Sequence, residues 1–221
     1  MNIQRGSKFK PEKDYYKIAG IILLVGLLQF FTVLNLVETQ YPGYSTSINT
    51  ISELGGSIPL LEPSSTIFNM SLIIMGILTM VAVYFILKSG GCRLFSACLL
   101  LFAISIIGIG VFPLYAGEIH SFFTIIAFIS GVLAVIFSYR LGLNIPMVIL
   151  SLVVGFTALI TLILTFSWGL GPSNPLIQLL GKGGLQRFIM YPGMLYLIGL
   201  GGYLTSRGED WVRLRFSKGY F

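Results

Sequence analysis

Long uninterrupted runs of apolar residues dominate the chain and predict its architecture. A helix that crosses a membrane needs about 20 apolar residues, because roughly 30 Å of hydrocarbon is crossed at about 1.5 Å per residue. Six stretches qualify, at residues 18–37, 66–87, 94–115, 121–139, 146–168 and 188–205. If all six are helices, no backbone polar group is left unpaired in lipid. The pattern therefore predicts an all-α bundle of six transmembrane helices, with residues 1–221 as one membrane domain.

Composition excludes the other broad classes of protein. The hydrophobic residues make up 55% of the chain and the charged residues 10%, whereas a soluble domain carries roughly 25% charged residues. A mean hydropathy of +0.89 also excludes a disordered chain, because such chains lack apolar surface to bury. We therefore interpret the chain as an integral membrane protein.

The distribution of Lys and Arg predicts the orientation of the bundle. With a cytoplasmic N-terminus, 12 of the 14 basic residues fall inside: Arg5, Lys8, Lys10, Lys13, Lys17, Lys88, Arg93, Arg140, Arg207, Arg213, Arg215 and Lys218. Because positively charged loops stay cytoplasmic, we expect a cell-membrane protein with both termini inside and residues 38–65 outside. The net charge of +6 then matches anionic inner-leaflet lipids. Nucleic acid is not an expected partner.

The predicted outer side carries the two long connections, residues 38–65 and 169–186. Loops longer than about 12 to 15 residues are uncommon and are usually functional. We expect the first of them to form a folded cap or a re-entrant piece on the bundle. Function should therefore be sought at this end of the molecule.

Polar side chains are predicted to converge at the same end and to form a binding site. They are Asn49, Ser52, Glu53, Asn69, Glu118, His120 and Arg187. Polar groups at membrane depth are costly and usually pair with one another inside a bundle. We therefore expect an ion pair between Glu53 and Arg187, and one hydrogen-bond network joining His120 to residues 49–53.

The candidate catalytic residues within this set are His120, Glu53 and Ser52. A hydrolase or transferase would use His120 as general base, oriented by Glu53 or Glu118. Ser52, His120 and Glu53 are also the residue types of a serine triad, although neighbours such as Ser52 and Glu53 do not normally point at one imidazole. Each side chain has a structural interpretation as well: a turn for Ser52 and a hydrogen-bonded interfacial position for His120. Whether the protein is an enzyme stays open.

Metal and cofactor chemistry is not expected. His120 is the only histidine, and zinc sites need three or four ligands that are mostly His or Cys. A glycine-rich phosphate loop between a strand and a helix is also missing from the sequence.

Several short motifs together resemble a known family. They are Asn49-Thr50-Ile51-Ser52-Glu53-Leu54-Gly55, Ile67-Phe68-Asn69, Gly110-Val111-Phe112-Pro113, His120 and Gln186-Arg187. With these motifs the chain resembles the prokaryotic membrane family known as domain of unknown function 998. The resemblance implies a six-helix bundle of unassigned activity, and its motifs fall on the predicted outer residue set.

Three functions remain open on these grounds. The first is binding or processing of a lipid or amphiphile at the outer leaflet, with Arg187 as a ligand for phosphate or carboxylate. The second is a structural or assembly subunit associated with other membrane subunits. The third is a transporter, which fits least because the few polar residues near the midplane can bond back to their own helices.

Overall fold

A computed structural model describes the backbone of residues 15–217 and the side chains of residues 15–206, and all regular structure in this range is helical. The α-helices are α1 (Tyr15–Gln40), α2 (Ile51–Gly56), α3 (Ser64–Lys88), α4 (Arg93–Val111), α5 (Glu118–Phe137), α6 (Ile145–Trp168) and α7 (Pro175–Ser217). Six of them, all except the short α2, are long and apolar enough to cross a membrane. The all-α, six-span prediction is therefore confirmed, and the chain is a multi-pass membrane protein.

The predicted span at 94–115 ends too late, and the reason is a proline. Helix α4 ends at Val111, and Phe112 has φ of −117° and ψ of 80°. A residue that precedes proline is pushed out of the helical region by the proline ring. Pro113 therefore ends the helix, and a 3-10 turn, Leu114–Ala116, connects it to α5.

The predicted loop at 169–186 is largely wrong, because α7 begins at Pro175 rather than near residue 188. Gly181, at φ 74°, breaks the helical conformation within α7. The first turns of α7 contain Gly181, Gly183 and Gly184 beside polar residues, so their hydropathy is too low for a span. A hydropathy pattern therefore misses this part of the helix.

The six long helices form a closed ring, in the order α1, α3, α4, α5, α6, α7 and back to α1. Helix α6 is the least buried of the six long helices. In its most apolar stretch 28% of the residues are buried inside the protein, against 39–50% in the other five helices. Large apolar side chains cover the outside of the ring, as lipid contact requires. The core inside the ring is apolar from Ala19 to Leu204.

The connection 41–63 and α2 lie at one end of this ring, which we call the α2 end. The α1 C-terminus and the N-termini of α3, α5 and α7 lie there too, because successive long helices run in opposite directions. Among the basic residues used for orientation, Arg5, Lys8, Lys10, Lys13 and Lys218 lie outside the described residues. Which end faces the cytoplasm stays a prediction.

Candidate functional site

The carboxylate of Glu53 accepts hydrogen bonds that cap the N-terminus of helix α2. Both the amide and the hydroxyl of Thr50 donate to Glu53 Oε1 at 2.9 Å, and Asn49 Nδ2 donates to Oε2 at 2.7 Å. Burial alone would raise the pKa of Glu53, but these hydrogen bonds to the carboxylate outweigh it and lower the pKa. Both carboxylate oxygens of Glu53 therefore bind residues 49 and 50, and Glu53 does not orient His120.

His120 is buried and joins α5 to α2. Its Nδ1 lies 2.9 Å from the carbonyl oxygen of Phe112, and its Nε2 lies 3.1 Å from Ser52 Oγ. A carbonyl oxygen only accepts, so in the neutral imidazole Nδ1 carries the proton and Nε2 is an acceptor. Ser52 then donates its hydroxyl proton to Nε2. The predicted network between His120 and residues 49–53 is confirmed, with Ser52 as the link.

Gln186 on α7 completes this group. The backbone amide of Ile51 donates to Gln186 Oε1 at 2.7 Å. An amide nitrogen only donates, so this bond fixes which end of the Gln186 side chain is oxygen. The side-chain nitrogen Nε2 must then face Ser52 Oγ, 3.4 Å away. We call Ser52, His120 and Gln186 the polar trio.

Asn69 and two glycines allow α2 to lie close against the bundle. Asn69 Nδ2 donates to the Gly55 carbonyl at 2.9 Å. A side-chain carbon at Gly55 would overlap Asn69, and one at Gly56 would overlap the backbone of Leu114. Only glycine permits this close approach. The position of Ser52 is therefore set by contacts on both ends of α2.

Arg187 holds the loop before α2, and its predicted pairing with Glu53 is wrong. Its side chain donates to the carbonyls of Thr46, Asn49 and Gly183 at 2.9, 3.0 and 3.1 Å, to Glu38 Oε1 at 2.6 Å and to the Tyr44 hydroxyl at 2.5 Å. Glu38 lies in the last turn of α1, and α1 packs beside α7. Both terminal nitrogens of Arg187 are therefore used inside the protein, which leaves no free fork for a headgroup.

Tyr44 is the centre of this second cluster. Its hydroxyl accepts from Arg187 and donates to the Thr50 carbonyl at 3.1 Å. Burial raises the pKa of Tyr44 to about 12, although the Arg187 cation opposes the shift. The phenol is therefore a neutral structural group that ties the loop to α7.

The seven predicted binding residues thus fall into four groups. Ser52 and His120 are in direct contact, while Asn49, Glu53 and Asn69 shape or anchor α2 beside them. Arg187 serves the loop. Glu118 is exposed and makes no hydrogen bond or ion pair within the described residues, so it has no place in the network.

Sequence reasoning gave no role to Gln186 or to Glu38. Gln186 directly precedes Arg187 in the motif set, and successive residues of a helix lie on neighbouring faces, so the two side chains of α7 point in different directions. Glu38 directly follows the predicted first span and Arg187 directly precedes the predicted sixth span, so both were expected at the same level of the bundle, and this shared level was the available signal. For the carbonyl of Phe112, the available sequence signal was Pro113. A proline that ends a helix leaves backbone carbonyls at the helix end free to accept hydrogen bonds from side chains.

An apolar cavity lies beneath the polar trio. It has a volume of about 50 Å³ and is lined by Ser52, Gln186 and Thr124 together with apolar side chains from α1, α3, α4, α5 and α7. A second cavity of about 40 Å³ lies between α5, α6 and α7. The two share Phe102, Ala127, Phe128 and Met190 as lining residues. The two cavities are therefore neighbours, the first bordered by Ser52 and the second by α6.

The described side chains provide no group of three or more His, Cys, Asp or Glu residues that could hold a metal ion. The chemistry available at the α2 end is thus that of a hydroxyl, an imidazole and a carboxamide above an apolar cavity.

Comparisons with known proteins support one assignment. Neither the curated proteins nor the solved structures gave a match to this chain. The family described as protein of unknown function (DUF998) matches residues 24–203, which include α2, the polar trio and Arg187. The match covers most of the chain, and it agrees with the resemblance of the short motifs. The protein therefore belongs to the DUF998 family.

Proposed function

We propose that the α2 end binds a lipid-like amphiphile, with its polar group at the polar trio and its hydrocarbon chain in the apolar cavity. The observation that carries this proposal is the direct contact between the two environments: Ser52 and Gln186 line the same cavity as Phe30, Leu72 and Phe128. Ligand sites typically combine an apolar lining with a few convergent polar groups. Arg187 does not bind the headgroup in this arrangement, because both of its terminal nitrogens bind groups of the protein.

The residues around the cavity would allow it to accept a hydrocarbon chain. Ala127 and Met190 line both cavities, and Met190 is a flexible side chain that adapts to irregular space. Helix α6 packs against α5 and α7 with a low buried fraction. Small movements of these groups would lengthen the apolar space without disturbing α2.

Photocrosslinking tests the proposal with dodecan-1-ol that carries a diazirine in mid-chain. We expect ultraviolet light to attach the probe to cavity residues near Ala127 and Phe128, located by peptide mass spectrometry. The A127F variant should lose this attachment, because the new ring fills both cavities. The matched I129F variant lies on the same helix but on the lipid-facing side, at 44% exposure, and should keep it.

Melting temperatures of both variants control for folding, since overpacking a core costs typically about 1–3 kcal/mol. The smaller A127V variant gives a milder version of the same test. Attachment only to lipid-facing residues would contradict the proposal and would leave the subunit role as the better description.

A further inference from the structure

We infer that Ser52 and His120 are a nucleophile and its general base, and that they cleave a carboxylic ester of an amphiphile bound in this cavity. The inference rests on the proposed function and names its substrate class. It comes from the position of one hydroxyl, which contacts a base and also borders the apolar cavity.

The geometry of the pair is that of an activated serine. A nucleophile and its base lie typically within about 2.6–3.2 Å, and a third group orients the base. Ser52 Oγ and His120 Nε2 are 3.1 Å apart, and the Phe112 carbonyl holds Nδ1 at 2.9 Å. That carbonyl takes the place of the carboxylate in a serine triad, fixing the tautomer without adding a negative charge.

The pair is fixed from several sides before any substrate arrives. His120 is 4% exposed. Ser52 is placed by α2, whose ends are held by the Gln186–Ile51 and Asn69–Gly55 hydrogen bonds. Catalytic groups that are already in position lose little entropy in the reaction.

Gln186 supplies a donor where negative charge would develop. When an alkoxide attacks an ester, charge builds on the carbonyl oxygen, and a positioned N–H group stabilises it. The orientation of Gln186 is fixed by the Ile51 amide, so Nε2 faces the Ser52 hydroxyl at 3.4 Å. The acyl chain of the ester would lie in the cavity that both residues line.

The reaction balances without an oxidant or a metal. Ser52 Oγ forms a bond to the ester carbonyl carbon while its proton moves to His120 Nε2. The bond from that carbon to the alcohol oxygen breaks, and the alcohol leaves with the proton from Nε2. Water then attacks the Ser52 ester, gives a proton to Nε2, and Ser52 recovers this proton as the carboxylic acid leaves. The sum is ester plus water giving acid plus alcohol.

A long-chain alkyl fluorophosphonate tests the nucleophile directly in the full-length protein. We expect wild-type protein to be labelled at Ser52, as shown by peptide mass spectrometry, and to hydrolyse 4-nitrophenyl octanoate. His120→Gln should slow labelling by about 100-fold or more, because general-base assistance is worth typically about 10²–10⁴. It should also remove the ionisation of His120 from the pH profile of the labelling rate.

Ser57→Ala is the matched control, since Ser57 lies directly after α2 and its hydroxyl donates to the Pro59 carbonyl at 3.3 Å, away from the polar trio. It should be labelled at the wild-type rate. The site of labelling is read on the wild-type protein, so a variant that fails to fold does not remove the test.

Three results would separate the two proposals. Diazirine attachment in the cavity without labelling of Ser52 overturns the esterase inference and leaves amphiphile binding in place. Labelling of Ser52 at an equal rate in His120→Gln also overturns it, because the histidine would then be only a structural partner. Labelling of Ser52 without attachment in the cavity overturns the proposed binding mode.

Discussion

Arg187 and His120 show two ways in which a polar side chain is accommodated at the end of a membrane bundle. Arg187 is 8% exposed and satisfies its charge with a carboxylate, a phenol and three carbonyls. An isolated charge at this depth would cost several kcal/mol, so the partners of the two terminal nitrogens are a structural requirement. The buried Nε of Arg187 has no hydrogen-bond partner in the described part of the chain. Among the described residues, the His120 ring has one hydrogen-bond partner at each nitrogen, and one of these partners is a hydroxyl beside a cavity.

Glu53 leads to a prediction about pH. Its pKa is lowered from 4.5 in the folded protein, so the folded state favours the carboxylate. A carboxylate whose pKa is lower in the folded state stabilises the protein at pH values above its pKa in the unfolded chain. This stabilisation is lost as the pH falls through the pKa of the folded state. Glu53→Gln should therefore lower the free energy of unfolding by about 1 kcal/mol at pH 7, given the partial exposure of the group.

Chemical unfolding in detergent at pH 7 and at pH 3 measures this difference. The gap between wild type and Glu53→Gln should shrink at pH 3 relative to pH 7, because a lower pH favours protonation of the carboxylate that these hydrogen bonds stabilise. Exposed Glu62 has one longer hydrogen bond, from the Thr66 amide at 3.3 Å, so Glu62→Gln is the control and should show a smaller effect. An equal gap at both pH values would contradict the assignment.

At the scale of elements, glycine contacts decide how the loop before α2 meets α7. The amides of Gly183 and Gly184 donate to the Ser47 carbonyl at 2.9 and 3.2 Å. A side-chain carbon at Gly183 would overlap the carbonyl oxygen of Asn49. At Gly184 the same carbon would lie 3.4 Å from Leu180 Cβ, an ordinary contact. The two neighbouring glycines therefore have different roles.

The pair Gly183→Ala and Gly184→Ala tests this difference. Gly183→Ala should destabilise the protein by roughly 1–3 kcal/mol, because the loop must move away from α7. Gly184→Ala should be neutral or slightly stabilising, since alanine favours a helix over glycine by about 1 kcal/mol. Melting temperatures in detergent give the comparison. A similar loss in both variants would contradict the proposed close approach.

At the scale of the whole molecule, the ring of six long helices gathers distant residues at one end. Ser52, His120 and Gln186 come from α2, α5 and α7, which are far apart in the chain. The hydroxyls of Thr79, Ser105, Thr161 and Thr165 instead donate to carbonyls within their own helices. Little polar chemistry is left for the middle of the bundle, so the α2 end is where ligands are expected.

The orientation of this end in the membrane is a separate prediction. From the distribution of basic residues, we expect the α2 end outside and both termini in the cytoplasm. In a background with Cys92 and Cys98 replaced by serine, Ser47→Cys should react with an impermeant thiol reagent on intact cells. Ser217→Cys should react only after the cells are opened. The reverse pattern would contradict the orientation.

Hydropathy along the chain was enough to predict the class of protein and the number of spans. Apolar runs long enough to cross a membrane fold into helices because hydrocarbon offers no other partner for the backbone. Residue types also pointed to one end of the bundle, and the expected link between His120 and residues 49–53 is present there through Ser52. The short motifs indicated the family over most of the chain.

Which side chains contact one another depends on how the helices pack. Charge alone suggested that Arg187 pairs with Glu53, but α1 lies beside α7 and brings Glu38 within 2.6 Å, while Glu53 is held by its own cap. Gln186 and the Phe112 carbonyl became visible only once α7 and the end of α4 were placed against α2. Hydropathy depends on local composition, whereas these contacts depend on the packing angle and register of helices that are distant in the chain.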